Sequence, residues 1–129
     1  MILKVVVDTS FLINLMIPTE PKHEKCKEYF YDSMHEFIAP DFILIEIASY
    51  FTRVLNLNKK QLNENIDEIK SLINIHNSYN NYEDVFDIIY KYKTRGADSL
   101  FVKLADKYKC ELLTCDKDQA VKYEKSILF

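Results

Sequence analysis

Glycine is almost missing from this sequence: among 129 residues it occurs once, as Gly96. A loop whose backbone N–H groups cradle a nucleotide phosphate needs several glycines, and the dinucleotide fingerprint needs three, so neither can be written here. Any phosphate must be handled by metal ions or side chains. Arginine is also scarce, limited to Arg53 and Arg95, so contacts with a polyanion must lean on lysine. No apolar run approaches the roughly 18–20 residues of a membrane span. Asp8 interrupts the apolar N-terminal stretch and no small-residue cleavage site follows, which argues against a signal peptide. Cys26, Cys110 and Cys115 are an odd number without metal-ligand spacing, as expected of free thiols in a reducing compartment. These absences predict a soluble, cytoplasmic protein that makes no membrane contact.

An excess of positive charge is missing as well. Lys and Arg number 17 against 20 Asp and Glu, a formal net charge of −3, whereas nucleic-acid binders usually carry a basic domain or patch. The total hides a split. Residues 1–89 hold 8 basic and 14 acidic side chains, and residues 90–129 hold 9 basic and 6 acidic.

What is present reads as one globular domain over residues 1–129, long enough for one core and too short for two. Leu3 to Val7 is a β-branched run of the kind buried on both faces of a parallel sheet. Asp8-Thr9-Ser10 then starts a helix that Pro18 stops. A second helix is expected from Thr19 or Glu20, with Pro21 in its first turn, to about His35. Phe37 to Pro40 is a second strand, and Asp41 is placed to cap a helix from Phe42 to Leu55 that is apolar almost all round, so burial on more than one side is predicted. Further helices are predicted over Lys59 to Leu72 and Tyr82 to Tyr92, the latter with Val85, Phe86, Ile88 and Ile89 inward. A third strand is placed near Ile75. After the basic loop Lys93-Thr94-Arg95-Gly96 come a helix from Asp98 to about Lys109, a strand Glu111 to Thr114, a short helix to Tyr123 and a last strand at Ile127 to Phe129. Alternation of strand and helix predicts βαβ units, a parallel sheet of four or five strands and helices on both faces, an α/β/α sandwich.

Four carboxylates occupy unusual positions. Asp8 and Asp116 each follow the carboxyl end of a buried strand, the edge where open parallel sheets bind ligands. Glu46 lies inside an apolar helix with no lysine or arginine within one turn on its face, and burying it unpaired would cost several kcal/mol. Asp98 heads another apolar helix, and Asp118 lies close enough to Asp116 to join or support it. Asp8, Asp98 and Asp116 can each also be read as simple helix caps. If the four acids meet, like charges repel by about 1–4 kcal/mol per pair, so they must be partly protonated or hold a cation. Oxygen-only ligands select Mg²⁺ or Mn²⁺, and such an ion can stabilise in-line attack on a phosphodiester.

Four segments, in order, resemble the PIN domain family. Val5-Val6-Val7-Asp8-Thr9-Ser10 is similar to its opening strand and acid. Pro40-Asp41-Phe42-Ile43-Leu44-Ile45-Glu46 resembles its second motif, Gly96-Ala97-Asp98 with the helix to Ala105 its third, and Leu112-Leu113-Thr114-Cys115-Asp116 its fourth. The resemblance covers essentially the whole chain. It implies a metal-dependent endoribonuclease with Asp8, Glu46, Asp98 and Asp116 as catalytic metal ligands or their immediate supports. It also implies Mg²⁺ or Mn²⁺ as cofactor, an RNA substrate, and Thr9 and Thr114 as hydrogen-bonding supports. Compact members are often VapC-type toxins, which implies a cognate antitoxin protein and a homodimer. An RNA-processing nuclease without antitoxin and a catalytically inert PIN-like binding module are the alternatives.

Other groupings are weaker. His23 and Cys26 lie three apart without further zinc ligands. Tyr79, Tyr82, Tyr90 and Tyr92 beside Lys91, Lys93 and Arg95 form a candidate RNA-contact strip, or else core residues beside a solvated face. The clusters Tyr29-Phe30-Tyr31 and Tyr50-Phe51 suit core packing or a partner groove.

Overall fold

A computed structural model describes residues 2–77 and 82–129. Strand β1 (Lys4–Val7) buries Val5, Val6 and Val7 almost completely. A strand can hide both faces only with helices above and below and a neighbour on each edge. β1 pairs in parallel with β2 (Glu36–Pro40) on one side and β4 (Glu111–Thr114) on the other. The short edge strands β3 (Asn74–His76) and β5 (Ser126–Leu128) complete a five-stranded, all-parallel sheet in the order β3-β2-β1-β4-β5. The expected α/β/α architecture is therefore present, with five strands.

Handedness assigns the layers. From β1 the chain runs through α1 (Thr9–Met16) and α2 (His23–Ser33) to β2, then through α3 (Phe42–Arg53) and α4 (Lys59–Leu72) to β3. It then reverses direction, passing by α5 (Tyr82–Tyr92) and α6 (Asp98–Tyr108) to β4, and by α7 (Lys117–Lys122) to β5. Right-handed crossovers that travel in opposite directions lie on opposite faces of a sheet. The first four helices thus form one layer and the last three the other. α6 packs across β1, β2 and β4 and buries Phe101, Val102, Leu104 and Ala105. The reversal falls between β1 and β4, and the carboxyl ends of these two strands are where open sheets of this kind form their ligand crevice.

Local chemistry moves several boundaries from the sequence reading. α2 begins at His23 because residues 18–22 are spent in turns, and the Lys22 N–H goes to Asn14 Oδ1 at 3.0 Å. Pro21 accordingly precedes the helix. α3 ends at Arg53 and is not buried all round: Ile43, Ile47 and Phe51 face the core, and Ile45, on the opposite side of the helix, is 64% exposed. Asp41 occupies the N-cap position, but its side chain makes no capping bond to the first turn. In α5, Ile88 points inward whereas Phe86, about 200° away around the helix, is exposed. α4 starts with a reciprocal cap: Asn58 Oδ1 accepts from the Gln61 N–H, and Gln61 Oε1 accepts from the Asn58 N–H.

Among the described residues, four hold left-handed backbone and none is glycine: Met34, Asn56, Lys93 and Lys109. Gly96 has no positive φ, and a Cβ there would meet nothing within 4 Å. No described helix is long and apolar enough to cross a membrane.

Candidate active site

Asp8 and Asp116 emerge from neighbouring strands at the crevice. The register that pairs Val7 with Leu113 continues one residue further, with the Asp8 N–H donating to the Leu113 carbonyl at 3.1 Å. Both acids also start helices. Asp8 Oδ1 accepts from the Phe11 N–H at 2.9 Å, and Asp116 Oδ1 from the Asp118 N–H at 2.9 Å. Asp98 is not a cap: Ala97 holds that position and Asp98 is the first residue of α6.

Ser10 joins the two strand ends. Its hydroxyl donates to Asp8 Oδ1 at 2.7 Å, accepts from the Cys115 N–H at 2.8 Å and lies 3.2 Å from Thr114 Oγ1. Thr114 Oγ1, fully buried, accepts from the Asp116 N–H at 3.0 Å. Two hydroxyls thereby fix the position of Asp8 relative to the backbone that carries Asp116. Sequence reasoning singles out Thr9 and Thr114 and treats Ser10 only as a helix starter. Its link to residue 115 depends on strand pairing that no local pattern encodes.

Glu46 is half-buried on α3 and accepts from Thr9 Oγ1 at 2.5 Å. Asp118 is exposed and faces Arg95, 3.6 Å away. Asp8 is only 5% exposed, and desolvation pushes its pKa up to about 6. The charge of Asp98 adds to that rise, while hydrogen bonds from Thr114, the Phe11 N–H and Ser10 oppose it. Asp98 is raised by burial and by the charge of Asp116, with Arg95 acting in the opposite direction. Asp8, Asp98 and Asp116 therefore share one electrostatic neighbourhood, with Glu46 attached through Thr9. Among the described residues none of the four forms an ion pair with a lysine or arginine.

The donor set is all oxygen and suits a hard divalent cation. The buried Asp8 carboxylate, with its charge uncompensated, is the natural anchor. No three His, Cys, Asp or Glu side chains among the described residues gather closely enough to cage an ion.

The remaining candidates divide. His23 is a satisfied core histidine, its Nδ1 2.9 Å from the Asn14 carbonyl. Tyr92 is buried and donates to Asp106 Oδ1 at 2.9 Å, so it belongs to the framework and cannot be a stacking platform. Tyr90 is exposed, with Lys93 Nζ 4.1 Å from its ring centroid. Tyr79 and the Tyr82 side chain lie outside the described residues. Phe30 and Phe51 are core, and Tyr50 donates to Glu20 Oε1 at 2.7 Å.

An acidic crevice at the switch point of a parallel α/β/α sandwich defines a class, and the sequence supplies the family. Residues 5–125 match the PIN domain model, and the chain belongs to the PIN domain family, whose members are in general nucleases that use divalent metal ions. The fold is similar to that of Mycobacterium tuberculosis VapC20, a sarcin-ricin loop cleaving toxin, with a TM-score of 0.75 at 14% identity over 90% of this chain and 92% of that one. It is similar to a chain of a Klebsiella pneumoniae toxin-antitoxin complex, with a TM-score of 0.74 at 16% identity over 95% of each chain. A third similar structure is FitAcB of Neisseria gonorrhoeae, with a TM-score of 0.68 at 13% identity over 97% of this chain and 96% of that one. A search of curated proteins gave no match.

Proposed function

We propose that this chain, as one PIN-type domain over residues 1–129, is a divalent-metal-dependent endoribonuclease that serves as the toxin of a type II toxin–antitoxin pair. The observation that carries the proposal is Asp8: a desolvated carboxylate at the switch point, raised toward neutrality, near Asp98 and Asp116 and without a cationic side-chain partner among the described residues. At neutral pH a buried carboxylate in this state costs a few kcal/mol, which a bound proton or metal ion offsets.

Asp8 together with Asp98 or Asp116 would hold Mg²⁺ or Mn²⁺, the remaining acid and the Thr9-bonded Glu46 supporting the site from around it. Such an ion, when bound, supplies Lewis-acid stabilisation for attack on a phosphodiester. Ser10 and Thr114 keep Asp8 and the Asp116 backbone in fixed relation, so no side chain must be ordered at the moment of reaction. Lys91, Lys93, Arg95 and the exposed ring of Tyr90 lie just before Asp98 in the chain and would contact RNA phosphates and bases. Support for an antitoxin partner and for the toxin role comes from the similar structures, one of them a toxin-antitoxin complex. A homodimer is part of the same proposal.

The deciding assay is cleavage of structured RNAs with and without Mn²⁺, wild type beside Asp8→Asn. Metal-dependent cleavage with 5′-phosphate ends, absent in the variant, is expected. Full activity in excess EDTA or in the variant would overturn the mechanism. Failure to cleave together with failure to bind Mn²⁺ would favour an inert PIN-like binding module. A small protein that co-purifies and suppresses cleavage separates a toxin from an RNA-processing nuclease.

A further inference from the structure

We propose that Cys26 and Cys115 are an oxidative modification site, at which a peroxide joins the two thiols into a disulfide and thereby disables the acidic crevice. The effect on cleavage rests on the nuclease proposal; the modification itself does not.

The two sulfurs lie 3.6 Å apart although 89 residues separate them in the chain. Cys26 projects from α2, and Cys115 directly follows β4, one residue before Asp116. A disulfide requires a closure of about 1.5 Å from this separation, which side-chain rotation and a small shift of the loop can supply. The exposures divide the labour. Cys115 is half-exposed and can meet an oxidant, whereas Cys26 is fully buried against it and can resolve the product. Cys110 is also half-exposed but precedes β4, at the opposite end of the strand, and has no thiol partner among the described residues.

The chemistry balances with peroxide as oxidant. The Cys115 thiol attacks one peroxide oxygen, the O–O bond breaks, and Cys115 becomes a sulfenic acid as one water leaves. The Cys26 sulfur then attacks the Cys115 sulfur, the S–O bond breaks, and a second water carries away the hydroxyl with the Cys26 proton. Two thiols lose two electrons and two protons, and peroxide is reduced to two waters. A thiol reductant reverses the bond by exchange.

The consequence for the site follows from backbone geometry. The Cys115 N–H donates to Ser10 Oγ, and the same hydroxyl donates to Asp8 Oδ1. Drawing Cys115 toward α2 shifts that N–H and the adjoining Asp116 together, so the two strand-end acids lose their relative placement.

The test treats reduced wild-type protein with hydrogen peroxide in the absence of metal and removes the excess before assay. Intact mass should fall by two hydrogens, peptide mapping should find Cys26 joined to Cys115, and Cys110 should still alkylate. The amide resonances of Ser10, Cys115 and Asp116 should shift, RNA cleavage should be lost, and dithiothreitol should restore both. Cys26→Ala should cleave as wild type when reduced and form no crosslink; Cys115→Ser provides a second crosslink-free control should the first variant not fold. Oxygen added at Cys115 without a crosslink, a crosslink through Cys110, or a crosslinked protein with unshifted amides would overturn the proposal. So would crosslinked protein that cleaves as fast as reduced protein. If reduced wild type cleaves no RNA, the nuclease proposal fails, and the crosslink and the amide shifts still decide the fate of the thiol pair.

Discussion

Asp8 caps α1 and, on the nuclease proposal, also anchors the metal, and its substitutions separate the two roles. Asparagine caps helices as well as aspartate does, so Asp8→Asn should lose cleavage while keeping the Phe11 cap and the fold, checked by circular dichroism beside the RNA assay. The pH dependence of stability provides a second readout. Burial raises the folded pKa of Asp8 from the ordinary 3.8 to about 6, so the folded state holds a proton that the unfolded state has already released. The associated stability is fully present below about pH 4 and is lost as pH rises through 6, a change of roughly 3 kcal/mol in metal-free protein. Urea melts in EDTA between pH 4 and 7 should show that fall in wild type and its absence in Asp8→Asn. Ser10→Ala removes a partner from both Asp8 and the Cys115 N–H, at an expected cost of about 1–3 kcal/mol, measured by the same melts.

At the scale of elements, much is legible in the sequence and the exceptions share a cause. β1, β4, α4 and α5 stand where hydrophobic runs and caps place them, because those signals are local. The start of α2 departs from the pattern: Pro21 suits a first turn, but the Lys22 N–H is claimed by Asn14 from the preceding helix, a tertiary competitor. Phe86 and Ile45 are apolar, which favours an inward position, yet an apolar residue can face solvent, and only the neighbouring layer decides which stripe is covered. Asn58→Ala should cost about 1 kcal/mol through loss of the α4 cap and leave RNA cleavage unchanged, since α4 contributes nothing to the crevice. Thermal melts beside the cleavage assay test both halves of that statement.

On the scale of the whole molecule, the sheet order brings two distant motifs to one candidate site. Asp8 and Asp116 are legible as strand-end acids from local sequence, but their adjacency is a property of the β1–β4 pairing. The Ser10 hydroxyl and the Cys26–Cys115 approach are not legible, because each joins residues from opposite ends of the chain. Placement of charge also outweighs its sum: a net acidic chain gathers basic residues before Asp98, where a polyanion would pass. Mn²⁺ at about 100 times its Kd should stabilise the wild type by about 2.7 kcal/mol, visible as a raised Tm at pH 7 and absent in Asp8→Asn. Replacing both Lys93 and Arg95 with alanine should weaken RNA binding and flatten its salt dependence. On a single strand the slope should fall by roughly 0.7 for each phosphate that is no longer neutralised.

Left-handed Met34 and Lys109 close α2 and α6 just before β2 and β4 begin, at the amino edge of the sheet and away from the crevice. Both adopt a conformation that costs side-chain-bearing residues about 1 kcal/mol. In engineering terms, the margin for stabilising this protein and the machinery proposed for its activity occupy opposite edges of the same sheet. Glycine at position 34 would harden the scaffold without touching a carboxylate, whereas at position 109 it would also remove the exposed Lys109–Asp106 ion pair. Lys93 is different: it bends the chain immediately before Arg95 and Asp98, so relaxing it would loosen the acidic edge itself.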